Sequence, residues 1–274
     1  MLFFNRKSAL EREWDELIKR EEKYLSKRDD KKQSTLDRLL EEKVPDKLQS
    51  TLDVAFLKAF ALVFEKGTGI IEKTYNADER KKNFSIDNYT DEMKQSRRTL
   101  KKFTRKANAA GTVNMLVSGA AGIGMGAAGV GIPDIPFFTA MLLRNVYQIA
   151  ISYGYGYRSA GEQHFILMVI EGAVSFGEDA RRIDEDINTY IDRKVLPTAE
   201  EREAQLKRTA SALSNELLYM KFLQGIPIIG AVGGAYDVVY MKKISEYAKL
   251  KYNRRLLLRK KKSKEDREKR KKFL

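Results

Sequence analysis

Apolar residues recur along the chain at helical spacing, and strand-like alternation is almost absent. Leu10, Trp14, Leu17, Ile18, Tyr24 and Leu25 fall near that spacing with charges between them. They predict an amphipathic helix to about Arg28, followed by a charged break at 29–32. Leu48, Leu52, Ala55, Phe56, Ala59 and Val63 form the stripe of a second helix. Pro45 suits its first turn, and Gly67 its end. The polar residues 74–98 predict a loop leading into a helix through Leu100 and Phe103. Ser159 with Glu162 makes a capping box for a helix through Phe165, Met168 and Val169, ending near Gly177. Pro197-Thr198 with Glu201 opens another, with Leu206, Ala210, Leu213 and Leu217 on one face. About eight helices are expected.

Three stretches break from this amphipathic pattern. Residues 112–132 carry no charge and six glycines, 135–157 are apolar apart from Arg144, and 222–241 contain Pro227, four glycines and Asp237. Gly131-Ile132-Pro133 is echoed by Gly225-Ile226-Pro227, so Gly131, Pro133, Pro136, Gly225 and Pro227 mark two corners, each opening a hydrophobic helix. Roughly 20 apolar residues span a bilayer core, so length permits crossing. Composition opposes it. Glycine adds little transfer energy, and a charge near mid-helix costs roughly 2.5–3.5 kcal/mol. The stretches therefore read as buried core helices, with a membrane-associated hairpin as the alternative. The expected fold is all-α, a single multi-helix bundle around a Gly-rich apolar helical hairpin.

Charge divides the chain further. Between Lys251 and Leu274 stand 13 Lys or Arg against three acids, so this tail supplies +10 of the net +14. The expected organisation is a charged amphipathic extension over 1–43, a helical domain over 44–250 and a flexible basic tail over 251–274. Arg254, Arg255, Arg259, Lys260, Lys261, Lys262 and Lys264 are the tail cations expected to meet anionic lipid. Specific nucleic-acid binding is disfavoured, because no aromatics interleave with the tail cations and no groove-reading motif precedes them. The N-terminus lacks a secretory pattern, and retention in the cytoplasm, at the inner face of the membrane, is expected.

Candidate chemistry is sparse. The chain has no Cys, which excludes thiolate nucleophiles, disulfides and Cys-based zinc sites. Residues 124–129 spell G-x-G-x-x-G, but no strand precedes them and Asp134 follows too closely to reach a ribose, so close helix packing is the better reading. His164 is the only histidine, and with Glu162 and Glu171 it matches no metal motif. No metal, cofactor or catalytic residue is assigned. The acids among 178–186 mix with Arg181 and Arg182, as on an exposed helix with internal ion pairs. Asp134, Arg144 and Asp237 stand out because apolar sequence surrounds them. Asp134 could cap the helix that Pro136 begins, and Arg144 with Asp237 suggests a buried ion pair, or else a polar pocket between the two corners.

Several segments together resemble the EcsC family. They are Val44-Pro45-Asp46-Lys47 through Gly67-Thr68-Gly69-Ile70-Ile71-Glu72-Lys73, the Gly-rich run 119–131, Ile135-Pro136, Arg144 through Tyr153-Gly154-Tyr155, Phe165-Ile166-Leu167, and Gly225-Ile226-Pro227 through Gly233-Gly234. The resemblance covers about residues 44–250. It implies membrane association and a link to ABC transporter subunits, and it carries over no catalytic residue. The expected function is that of a non-catalytic peripheral membrane accessory or scaffold, its tail and an apolar surface docking on anionic lipid or on a membrane complex. A carrier of apolar ligands with a cavity at the Gly-rich hairpin is the first alternative. A hydrolase with carboxylates of Asp134, Glu162 or Glu171 converging in a cleft is the second.

Overall fold

The computed structural model describes residues 7–28, 46–110, 134–193, 195–223 and 235–272, with side chains for all of these but 110, 134, 220–223, 235–239 and 272. Every regular element among them is helical. α1 (Ala9–Leu25) begins at a full capping box: the Glu11 amide donates to Ser8 Oγ at 3.2 Å, and the Ser8 amide to Glu11 Oε2 at 2.6 Å. α2 (Asp46–Leu62) buries the expected stripe of Leu52, Ala55, Phe56 and Ala59, which continues to Val63.

The chain does not stop at Gly67. It passes through one π turn (Val63–Gly67) into α3 (Thr68–Glu72). Gly67 keeps a helical φ of −79°, and an added Cβ would meet the Val63 side chain at 3.3 Å. Here the glycine serves close packing, and the Thr68 hydroxyl donates to the Val63 carbonyl at 3.0 Å to help close the widened turn.

A second departure is α4 (Ala77–Lys94), which occupies most of the segment expected to be a loop. Asn76 caps it by accepting from the Glu79 amide at 2.9 Å, and Gln95 ends it at φ +42°. Ionic contacts tie it to the bundle: Asp87 to Lys106 at 2.6 Å and Asp91 to Lys260 at 2.7 Å. A helix held largely by polar anchors shows little apolar stripe, so periodicity passes over it.

α5 (Arg97–Ala110), α6 (Asp134–Ser152), α7 (Ala160–Val174), α8 (Gly177–Arg193), α9 (Ala199–Leu223) and α10 (Ala235–Lys272) complete the described chain. Ser159 and Thr198 cap α7 and α9 as expected, each accepting from the amide three residues on. α7 is buried on every side from His164 to Val174. α10 runs through the bundle against α1, α6 and α7, while α2 closes the other side against α6 and α9.

The expected domain boundaries dissolve in this packing. α1 is no free extension, because Leu17 is fully buried with Leu100 and Leu257. α10 crosses residue 250 without a break, and Tyr252, Leu256 and Leu257 lie in the core. The Gly-rich segment around which the bundle was expected to close lies outside the described residues, as does the G-x-G-x-x-G run.

Candidate functional site

The basic C-terminal residues divide into two groups. Lys251 is wholly buried and reaches Asp184 at 2.6 Å, Glu21 at 3.0 Å and the Asn188 side-chain oxygen at 3.0 Å. Arg254 pairs with Glu21 at 2.7 Å and lies over the Trp14 ring. Arg255 pairs with Glu162 between the rings of Tyr155 and Phe165, 4.0 and 4.3 Å from their centres. Arg259 donates to the carbonyls of Tyr153 and Gly154 at 3.1 and 3.3 Å, and Lys260 pairs with Asp91. Four of the seven expected lipid-binding cations, Arg254, Arg255, Arg259 and Lys260, thus bind the protein's own acids and carbonyls. Spaced by one, four and one, with Leu256, Leu257 and Leu258 in the longer gap, they lie along a helix that the bundle encloses. Lys261, Lys262 and Lys264 do face solvent, within a segment 261–272 that holds eight basic and three acidic residues. The acids of α8 are not all solvated either, because Asp184 is buried and also accepts from Tyr247 at 2.7 Å.

Arg144 is 8% exposed. Its Nε donates to Thr74 Oγ1 at 2.6 Å and its Nη2 to the Thr74 carbonyl at 3.0 Å, with the Tyr75 ring 5.9 Å away. Burial pushes its pKa down, and the charge of Arg80 pushes it the same way. Asp134 and Asp237 lie in the first turns of α6 and α10, but their side chains fall outside the described residues. The expected ion pair with Asp237 lies there too, as do Gly131, Pro133, Gly225 and Pro227. Pro136 is half-buried in the first turn of α6.

The remaining candidates are separated. Glu162 is held by Arg255. Glu171 accepts from Gln205 at 2.5 Å and faces Arg208 at 3.6 Å, and burial pushes its pKa up. His164 packs on the Tyr190 ring at 5.4 Å, and burial pushes its pKa down. Among the described residues no group of His, Asp and Glu could hold a metal ion.

What sequence reading missed is a cationic end of the bundle. α10 runs antiparallel to α1, since Tyr24 donates to the Lys243 carbonyl at one end and Arg254 covers Trp14 further along. It runs parallel to α6: Phe138 meets Tyr240, and Arg259 meets Tyr153. α9 reaches the same level, where Tyr240 donates to the Glu216 carbonyl at 2.9 Å. The end of α1, the end of α9 and the starts of α6 and α10 therefore gather at one pole, and α5 runs toward it. A groove of about 670 Å³ runs from that pole along α1 and α10 as far as Tyr153, lined by Arg20, Lys23, Lys27, Arg28, Lys243 and Lys249 among others, with Glu246 as its one lining acid. Arg28 is occupied by the Ser175 carbonyl, and Lys243 by Glu216. Arg20, Lys23, Lys27 and Lys249 have no carboxylate within 4.0 Å among the described residues, and burial pushes the Lys249 pKa down. The spacing of 20, 23 and 27 on one helix face was the available signal. Thr104 and Asn108 of α5 form the far wall. In sequence the uncharged stretch 112–132 begins four residues after Asn108.

No helix among the described residues is long and apolar enough to cross a membrane. The sequence pattern of the EcsC protein family matches residues 11–257, so the chain belongs to that family. The match takes in nearly all of α1 and residues 251–257 at the start of the basic segment, both of which the sequence reading had left outside it. No curated protein and no solved structure matches the chain.

Proposed function

We propose that this EcsC-family protein is a non-catalytic, peripheral membrane-associated accessory that docks on anionic lipid through the pole where α10 begins. One observation carries the reading. A groove in which Arg20, Lys23, Lys27 and Lys249 have no carboxylate within 4.0 Å among the described residues starts at the pole where α1, α5 and α9 end and α6 and α10 begin. Cations attract anionic headgroups at about 1 kcal/mol each. The solvent-facing end of α10 is poorly placed to share that contact. Lys243 and Lys264 are separated by 21 residues, or about 30 Å of helix. A docking role for the pole therefore replaces the one expected of the tail. Anionic lipid is the proposed partner, and a membrane complex such as an ABC transporter would present the same surface.

Vesicle flotation tests this. The full chain should float with vesicles containing phosphatidylglycerol, remain behind with neutral ones and be released by salt. Lys23→Glu with Lys27→Glu, both exposed, should weaken binding at least about thirtyfold, the loss of two cations at about 1 kcal/mol each, with the repulsion of two added carboxylates on top. Charge reversal at Lys261, Lys262 and Lys264 should do much less. Groove variants that float like the unmodified chain would sink the reading.

A further inference from the structure

We propose that the outer face of α4 pairs with the same face of a second copy of this chain, the two helices lying antiparallel. Ile86, Tyr89 and Met93 are 54%, 67% and 70% exposed. Their spacing of three and four sets them on one stripe of the helix, about 10 Å long. A surface helix ordinarily buries its apolar stripe and turns its charges to water. Much of α4 does the reverse. Asp87 and Asp91 are buried, held by Lys106 and Lys260, while the stripe points outward. Phe84 is the large apolar residue of α4 that turns inward, against Phe103. On the other described helices, exposed large apolar residues stand singly, which is ordinary. A continuous exposed stripe marks a contact surface.

The order of charges beside the stripe identifies the occupant. Along one edge α4 carries Glu79 near its start and Lys94 at its end; along the other it carries Lys81 and then Glu92. All four are exposed. A second α4 laid antiparallel, with Ile86 opposite the second copy's Tyr89, brings Glu79 toward Lys94 on one edge and Lys81 toward Glu92 on the other. A parallel copy would set each charge against its own like. The antiparallel match is self-complementary, as a two-fold pair requires. Lys81 and Glu92 have exposed ion-pair partners, Asp78 and Arg267, so exchanging them loses little. α4 runs parallel to α10, since Arg259 lies over Phe84 and Arg267 reaches Glu92. The pair therefore directs the two groove poles away from each other. No residue of α4 lines the groove, so pairing leaves it open and does not depend on lipid docking.

Sedimentation equilibrium of the full chain, from about 1 to about 200 µM, tests the pairing. One stripe makes a small interface, so a reversible pair is expected, the average mass climbing from 31.4 kDa toward twice that value. Tyr89→Gln with Met93→Gln should weaken pairing at least about tenfold, because each pair loses four apolar groups. Both positions are exposed, so this variant should melt like the unmodified chain. Lys23→Glu with Lys27→Glu should pair unchanged. The chain has no Cys, so Lys82→Cys and Met93→Cys report the direction of the helices. An antiparallel pair sets position 82 beside the second copy's position 93, and about 16 Å along the axis from its own counterpart. Oxidising a one-to-one mixture of the two variants should give the mixed disulfide, and either variant alone should stay monomeric on a denaturing gel. The proposal is overturned by a single-chain mass at every concentration, by unchanged pairing of the Gln variant, or by efficient cross-linking of one Cys variant alone. Unchanged pairing with lost vesicle flotation would assign the stripe to lipid instead.

Discussion

Replacing Lys251 with Met tests whether the cations of α10 hold the bundle together. The ammonium is fully buried and is shared by Glu21 of α1 and Asp184 and Asn188 of α8. Met keeps the length and apolar stem, so the substitution isolates the charge. Removing one partner of a buried ion pair costs about 3–5 kcal/mol, because it strands the opposite charge. Here the stranded acids retain other partners. Glu21 keeps Arg254 at 2.7 Å, and Asp184 keeps the Tyr247 hydroxyl at 2.7 Å and the Asn188 amide at 2.9 Å. The lower end, about 3 kcal/mol, is therefore expected. A chain of 274 residues has an unfolding entropy of roughly 0.6 kcal/mol per kelvin, so Tm should fall by about 5 °C. Urea denaturation followed by circular dichroism would measure the loss. Asp184→Asn supplies a sign test. It should destabilise the unmodified chain but recover stability in the Lys251→Met background, where it removes a stranded charge. A loss below about 1 kcal/mol, or simple additivity of the two substitutions, would refute the account.

Two further substitutions probe other links. Gly154 has a φ of +76°, and a Cβ there would enter the Phe84 ring. Gly154→Ala should cost about 2–4 kcal/mol from backbone strain and the displaced ring, visible as a lowered melting temperature, and it should release the α4 contact first. His164 is the only histidine, and burial depresses its pKa. The folded state then binds fewer protons than the unfolded one just below the ordinary histidine pKa, so stability present above about pH 6.5 is lost as the pH falls. Urea midpoints at pH 7.5 and 5.5 should differ more for the unmodified chain than for His164→Phe, and equal differences would remove His164 from the account.

The helical class, the stripe of α2 and the caps at Ser159 and Thr198 were legible because each depends on residues within two turns of one another. Periodicity and side-chain-to-amide bonds are local, and local physics is written in the sequence. The departures are equally instructive. α4 escaped detection because much of what holds it lies on other helices: Lys106 and Lys260 fix Asp87 and Asp91 from sites distant in the chain. Arg254, Arg255 and Arg259 looked like a lipid-binding tail because a run of cations reads the same whether it meets water, lipid or buried carboxylates. Only tertiary packing set Glu21, Glu162 and two carbonyls opposite them. The candidate site follows the same rule. Arg20, Lys23, Lys27 and Lys249 share one groove because helices remote in sequence run side by side. Sequence determined which residues carry charge and which faces are apolar. The arrangement of the helices decided which charges were neutralised and which remained to meet a partner.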